Sequence, residues 1–207
     1  MNTATFTLQE IERKTVRFYD NRSQEYAEEV KNFDLRKSYH DFLSLLPEAK
    51  FHSVLDFGCG TGRDLKYFAD HGIQAVGLDG SKKMCDLARK TSGCKAFQQN
   101  FLSLELPPSR FHGIFACSSL FHIPRTELPR ILHQLHYSLK DDGALFIANP
   151  VGDLEDWDGE SYGNYMTWDL YKEHLKEAGF QPIKHYEMKV GEPWRETNWL
   201  CILSTKK

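Results

Sequence analysis

From about residue 54 onward, short continuous apolar runs alternate with segments whose apolar positions recur every three or four residues. The runs at 54–57, 74–79, 94–98, 111–117 and 143–148 predict strands, and the periodic segments 63–71, 82–90 and 125–140 predict helices. Strands that alternate with helices predict a parallel sheet covered on both faces. The first fifty residues read as helical, with Leu8, Ile11, Val16 and Phe18, then Tyr26 and Val30, then Leu35, Tyr39, Phe42, Leu43 and Leu46 ahead of Pro47. Near the other end, 168–178 has helical spacing and stops at Gly179, a helix C-terminal signal. The stretches 181–190 and 198–205 predict two strands in hairpin relation, joined by 191–195. Residues 149–165 fit neither period and predict a long loop.

The junction of the first strand and first helix of this alternating region carries the chemistry. Val54-Leu55-Asp56-Phe57-Gly58-Cys59-Gly60-Thr61-Gly62-Arg63-Asp64 runs from an apolar strand through an acid and three alternating glycines into a helix. Glycines there let the backbone turn with positive φ and let a ligand approach without a Cβ in the way. In doubly wound folds, ligands bind at the carboxyl ends of the strands. A dinucleotide fingerprint wants G-x-G-x-x-G/A, and Arg63 stands where its last small residue belongs. Asp56 at the loop entry is a poor neighbour for a pyrophosphate. The second strand ends in Asp79, where a carboxylate accepts hydrogen bonds from ribose hydroxyls; an ordinary loop carboxylate is the plain alternative.

The D-x-G-x-G-x-G run resembles motif I of the class I S-adenosylmethionine-dependent methyltransferases, and the likeness extends from about residue 50 to 150. It implies a Rossmann-like α/β fold with a seven-stranded, mostly parallel sheet, an antiparallel last strand, helices on both faces and an N-terminal helical lid. It implies S-adenosylmethionine as cofactor and S-adenosylhomocysteine as product. The cofactor site it implies comprises Asp56, Gly58, Cys59, Gly60 and Gly62, then Asp79 on the ribose, Gly80 and Ser81 capping the next helix, and Met84 one turn in against the adenine. Asn100 stands where the family usually has Asp; its side-chain carbonyl still accepts from an adenine amino group, and Phe101 packs against the ring. The run from Phe111 to Pro124 resembles the family's fourth strand and the turn after it, so Cys117 and Ser118 edge the cofactor and His122 lies near the methyl. Tyr19 and Tyr26 resemble the entry where tyrosines meet the cofactor carboxylate; a helix merely covering the sheet is the alternative.

The rest of the composition narrows the function class. With 207 residues and a net charge of -3 from 26 basic and 29 acidic residues, the chain shows no electrostatic footprint for nucleic acid. Five scattered cysteines without C-x-x-C indicate neither a disulfide framework nor a zinc site. No apolar run approaches a membrane span, and the expectation is a cytoplasmic protein of one domain over 1–207. Its parts are a lid (1–50), a cofactor core (51–150) and a substrate loop with a C-terminal hairpin (151–207). His133 and His136, one turn apart, are expected on the surface, and no metal is expected.

The expected function is methyl transfer to a small-molecule acceptor. His122 is the candidate general base, since an unperturbed imidazole titrates in the right range. The 149–165 loop is expected to close over the acceptor, with Trp157, Tyr162 and Tyr165 offering aromatic faces to a neutral or cationic group, and Arg195 reaching in from the C-terminal hairpin. A solvated acidic loop is the alternative. A non-catalytic cofactor-binding module and a nicotinamide oxidoreductase are the rival functions.

Overall fold

A computed structural model describes residues 7–159, 161–190 and 197–207. Seven strands form one sheet: β1 (Ser53–Phe57), β2 (Gln74–Asp79), β3 (Lys95–Gln98), β4 (Phe111–Cys117), β5 (Leu139–Pro150), β8 (Phe180–Val190) and β9 (Thr197–Lys206). Their order is β3-β2-β1-β4-β5-β9-β8. Neighbours from β3 to β5 pair in parallel, while β9 pairs antiparallel with both β5 and β8. The order reverses between β1 and β4, which opens a crevice at their carboxyl ends.

Alternation along each strand divides the core. Leu55 and Phe57 of β1, Ile114 of β4, Leu145 and Ile147 of β5, and Leu200 and Ile202 of β9 point to one face. There they meet Ile131 and Leu135 of α5 (Leu128–Ser138) and Tyr171 and Leu175 of α6 (Trp168–Glu177). Val54, Phe115, Phe146 and Leu203 point the other way, against α2 (Arg36–Leu43), α3 (Arg63–Asp70) and α4 (Lys82–Ser92). Strands buried on both faces read as unbroken apolar runs, which is why the sequence shows them so plainly.

Helix α1 (Leu8–Val30) is one 23-residue element rather than separate segments, capped by Thr7, whose side chain accepts from the Glu10 N–H. It packs on α4 and across the crevice. The 149–165 stretch is not a loop. It holds β6 (Leu154–Asp158) and β7 (Ser161–Tyr165), paired antiparallel as a separate ribbon with Trp157 opposite Tyr162. Asp158-Gly159 is a hairpin-turn dipeptide, and Gly159 has φ +64; the acidic composition of the segment masked that signal. The helix expected over 125–140 is confined to Leu128–Ser138, because the chain is already extended at Leu139, which pairs with Phe111. His136 is half-buried rather than on the surface, with its ring edge-on to Phe180.

Candidate functional site

The glycine loop closes over the end of β1 by backbone hydrogen bonds to the neighbouring strand. The N–H groups of Gly58 and Cys59 both donate to the Leu78 carbonyl, at 2.8 and 3.0 Å. Gly58 has φ +76, and a Cβ there would lie 2.3 Å from the Ser119 Cβ. Gly62, at φ +85, caps α3 where a Cβ would lie 2.6 Å from the Ala88 Cα. Both positions therefore require glycine, one to let Ser119 pack against the loop and the other to let α3 approach α4.

Asp79 sits beside the glycine loop. Its Oδ2 accepts the Gly60 N–H at 2.9 Å and its Oδ1 accepts the Ser81 N–H at 2.8 Å. Burial pushes its carboxyl up to about 6, partly offset by these donors. Each oxygen retains a lone pair, so the carboxylate is oriented to accept a pair of hydroxyls. Ser81 caps α4 by accepting the Met84 N–H at 3.1 Å, and its own hydroxyl donates to Asp20 Oδ1 at 2.5 Å. Asp20 also accepts the Lys83 N–H at 3.2 Å. One carboxylate on α1 thereby latches that helix to the N-terminus of α4, where a negative charge is favoured.

Between α1 and the loop lies a cleft of about 680 Å³, open mouth included. Following the strand order β3-β2-β1-β4, its lining comes from Asn100, Phe101 and Leu102 after β3, Asp79, Gly80, Ser81 and Met84 after β2, Gly58 and Gly60 after β1, and Ser118, Ser119 and His122 after β4, with Tyr19 and Tyr26 from α1. Phe101 stacks on Phe57, with ring centroids 4.4 Å apart. Helix α1 supplies the cover through Ile11, Glu12, Thr15, Val16 and Tyr19. The Ser119 hydroxyl is buried without a hydrogen-bond partner, so the cleft wall holds an unused polar atom.

His122 is fixed at both ring nitrogens. Its Nδ1 lies 2.6 Å from the Tyr162 carbonyl and its Nε2 lies 2.7 Å from the Tyr19 hydroxyl. A carbonyl only accepts, so Nδ1 carries the hydrogen and Nε2 accepts from Tyr19. Burial brings its pKa down to about 4, against a small opposing effect of the Tyr162 carbonyl. The ring is neutral near pH 7. Tyr162 is held by its own N–H on Thr15 Oγ1 at 3.1 Å, and the ribbon is tied to the turn after β4 by Asn164 Nδ2 on the Ile123 carbonyl at 3.1 Å.

Several expected site residues stand elsewhere. Asp56 is buried beneath the loop on the α3 face and does not line the cleft; burial, and next the charge of Asp64, raise its carboxyl well above the usual range. Cys59 turns its thiol into the core towards Gly77, so only its backbone belongs to the loop surface. Cys117 is buried and lines a second hollow across the glycine loop with Arg63 and Asp64. Asn100 spends its carbonyl on the Leu102 N–H at 2.7 Å, capping a short turn, which leaves a second lone pair and the amide donors. The Tyr19 hydroxyl points to His122 rather than standing free for a carboxylate.

The aromatic residues of the ribbon do not line the cleft. Trp157 lies under Lys14, with Nζ 4.8 Å from the ring centroid, and its edge meets Tyr162. The Tyr162 hydroxyl donates to Glu155, and the Tyr165 hydroxyl donates to Asp158 at 3.4 Å. These side chains serve the ribbon, whose contribution to the cleft is the backbone carbonyl that orients His122. Arg195 lies outside the described residues. Sequence reasoning missed Asp20 and Ser119, as well as Glu12, Thr15 and Val16. Ile11, Thr15, Tyr19 and Tyr26 lie close to one helical face, so periodicity held the signal for the cover.

Among the described residues no group of three or more His, Cys, Asp or Glu is placed to hold a metal, and no helix is long and apolar enough to cross a membrane. A family model described as a methyltransferase domain matches residues 54–143. An uncharacterized protein of Haemophilus influenzae is 32% identical over 152 residues, covering 66% of this chain and 59% of its own. An uncharacterized methyltransferase of a Geobacillus species is 26% identical over 183 residues, covering 78% of this chain and 84% of its own. The chain thus spans about three fifths of the Haemophilus relative. The fold matches that of a Burkholderia thailandensis 1,6-didemethyltoxoflavin-N1-methyltransferase, solved with its acceptor and S-adenosylhomocysteine. That match has a TM-score of 0.81 at 19% identity and covers 100% of this chain and 93% of the other. The matched methyltransferase domain takes in β1 to β4, and with them the glycine loop, Asp79 and the turn that carries His122.

Proposed function

We propose that the protein transfers a methyl group from S-adenosylmethionine to a small-molecule acceptor, releasing S-adenosylhomocysteine. The observation that carries this reading is the sequence of groups that the strand order β3-β2-β1-β4 lays along one cleft: aromatic and amide after β3, an oriented carboxylate after β2, a bare glycine backbone after β1 and an imidazole after β4. That order suits adenine and then ribose, with the sulfonium beyond the ribose sending its amino-acid tail along the glycine backbone and its methyl towards the imidazole. The unpaired Ser119 hydroxyl in the cleft wall fits such an occupant.

Bound there, the cofactor supplies an electrophilic methyl on a sulfonium that departs as a neutral thioether. The chain's own task is alignment and exclusion of water. Holding two reactants in line contributes on the order of 7 to 11 kcal/mol. Asp79 fixes the ribose, Phe101 and Met84 enclose the base, and α1, latched by Asp20, shuts out solvent. The Burkholderia enzyme of the same fold is a 1,6-didemethyltoxoflavin-N1-methyltransferase, which supports a small-molecule acceptor here. Five free thiols, four of them buried, fit a reducing cytoplasm.

The test is transfer of labelled methyl into a cell extract separated into small-molecule, protein and nucleic-acid fractions. Label recovered in the small-molecule fraction is expected. Label confined to protein or nucleic acid would refute the acceptor class.

A further inference from the structure

We propose that Tyr19 meets the acceptor and relays its proton to His122, so that the site selects acceptors bearing an acidic O–H or N–H. The inference rests on the methyl-transfer reading above and deepens it. Both residues line the same end of the cleft, and their polar atoms lie 2.7 Å apart. The direction of that hydrogen bond is forced, because the Tyr162 carbonyl at 2.6 Å requires the hydrogen on Nδ1 and leaves Nε2 to accept. Tyr19 therefore has its hydrogen committed to His122 and its oxygen lone pairs turned to other donors. An acceptor O–H or N–H entering the cleft is such a donor.

The relay balances. As the acceptor heteroatom bonds to the methyl carbon, the carbon–sulfur bond breaks and its electron pair stays on sulfur. The acceptor's proton passes to the Tyr19 oxygen, and the Tyr19 proton passes to His122 Nε2. The imidazolium returns its proton to water once the product has left.

The surroundings set which acceptors this serves. His122 touches the Phe121 ring, 3.9 Å away between centroids, the Tyr19 ring and the Tyr162 carbonyl. The charged or titratable groups acting on Tyr19 are Asp79 from β2, Tyr165 from β7, and Tyr26 and Arg22 of its own helix. Among the described residues no carboxylate contacts the imidazole to stabilise its charged form, and burial opposes that form. Such a pair is too weak to strip an alkyl alcohol. It suits phenols, enols and heteroaromatic N–H groups, whose protons leave near 10 or below, more readily than the Tyr19 proton, which burial holds well above that value. A thiolate has no proton to pass and makes no use of the relay.

The experiment compares wild type, Tyr19→Phe and His122→Gln for S-adenosylhomocysteine binding by calorimetry and for its release during turnover. The acceptors are 4-nitrophenol, a cyclic 1,3-diketone and xanthine, with thiophenol as the thiolate control. Wild type is expected to turn over at least one of the first three. Both variants are expected to lose about 100-fold or more in kcat on it, to lose far less on thiophenol, and to bind S-adenosylhomocysteine within about threefold of wild type. Turnover of such an acceptor by Tyr19→Phe at the wild-type rate would overturn the proposal. So would wild-type turnover confined to thiophenol or absent across the panel. Failure of wild type to bind S-adenosylhomocysteine would instead refute the methyl-transfer reading itself.

Discussion

Replacing Asp79 with asparagine preserves the shape of the side chain and removes what the cleft uses. In the native protein both carboxylate oxygens accept a backbone N–H, from Gly60 at 2.9 Å and Ser81 at 2.8 Å. An asparagine amide has one oxygen, so its nitrogen must face one of those N–H groups, donor against donor. The lost bond costs about 1 to 3 kcal/mol. Against this, the native carboxylate is itself disfavoured by burial, which raises its pKa to about 6. After allowance for partial exposure that penalty is about 2 kcal/mol at neutral pH. The two effects nearly cancel, and the stability of the free protein is expected to change by less than about 1 kcal/mol. Cofactor affinity has no such compensation. A hydrogen bond from a ribose hydroxyl to a charged acceptor contributes about 1.5 to 3 kcal/mol, and losing one raises the Kd by roughly 10- to 100-fold. Calorimetric titration with S-adenosylhomocysteine measures the second quantity, and thermal unfolding without ligand measures the first. A Kd within threefold of wild type, in a variant that unfolds like wild type, would refute the assignment of Asp79 to the ribose.

Cofactor affinity should also depend on pH with a defined sign. Asp79 is ionised above about 6 and binding engages the ionised form, so affinity is full above that value and falls about tenfold per unit below it, as a titration between pH 5 and 8 would show. Gly62→Ala is expected to cost about 2 to 4 kcal/mol in chemical denaturation, because it combines φ +85 with a Cβ 2.6 Å from the Ala88 backbone. Gly72→Ala, at φ +73 with nothing within 4 Å, should cost only about 1 kcal/mol. Asp20→Ala removes the latch between α1 and α4, and hydrogen exchange should show α1 opening about 10-fold more readily, with a matching rise in the KM for cofactor.

The core and its cofactor loop were legible because their physics is local. A strand buried on both faces is an apolar run, and a loop that must take positive φ beside Ser119 and Ala88 is written in glycines at Gly58 and Gly62. The acceptor side was not legible in the same way. The paired ribbon of β6 and β7 was hidden by its carboxylates, and its Asp158-Gly159 turn was the overlooked cue. Its aromatic side chains pair with Lys14, Glu155 and Asp158 rather than with the cleft, since no local rule says which face of a ribbon a later contact will cover. The role of Tyr162 lies in a backbone carbonyl, which leaves no mark on residue type. Asp56 stood in the right motif, yet the alternation of β1 turns it into the core beneath the loop. The pairing of Tyr19 with His122 spans 103 positions, and no spacing rule reaches that far.

The central claim is that the cleft between α1 and the glycine loop holds the sulfonium cofactor. Its most direct test is a calorimetric titration of the wild-type protein with S-adenosylmethionine, S-adenosylhomocysteine and NAD under the same conditions. Saturable binding of the first two at one site per chain, with none of NAD, is the predicted result. Binding of NAD, or no heat from either sulfur compound, would contradict it.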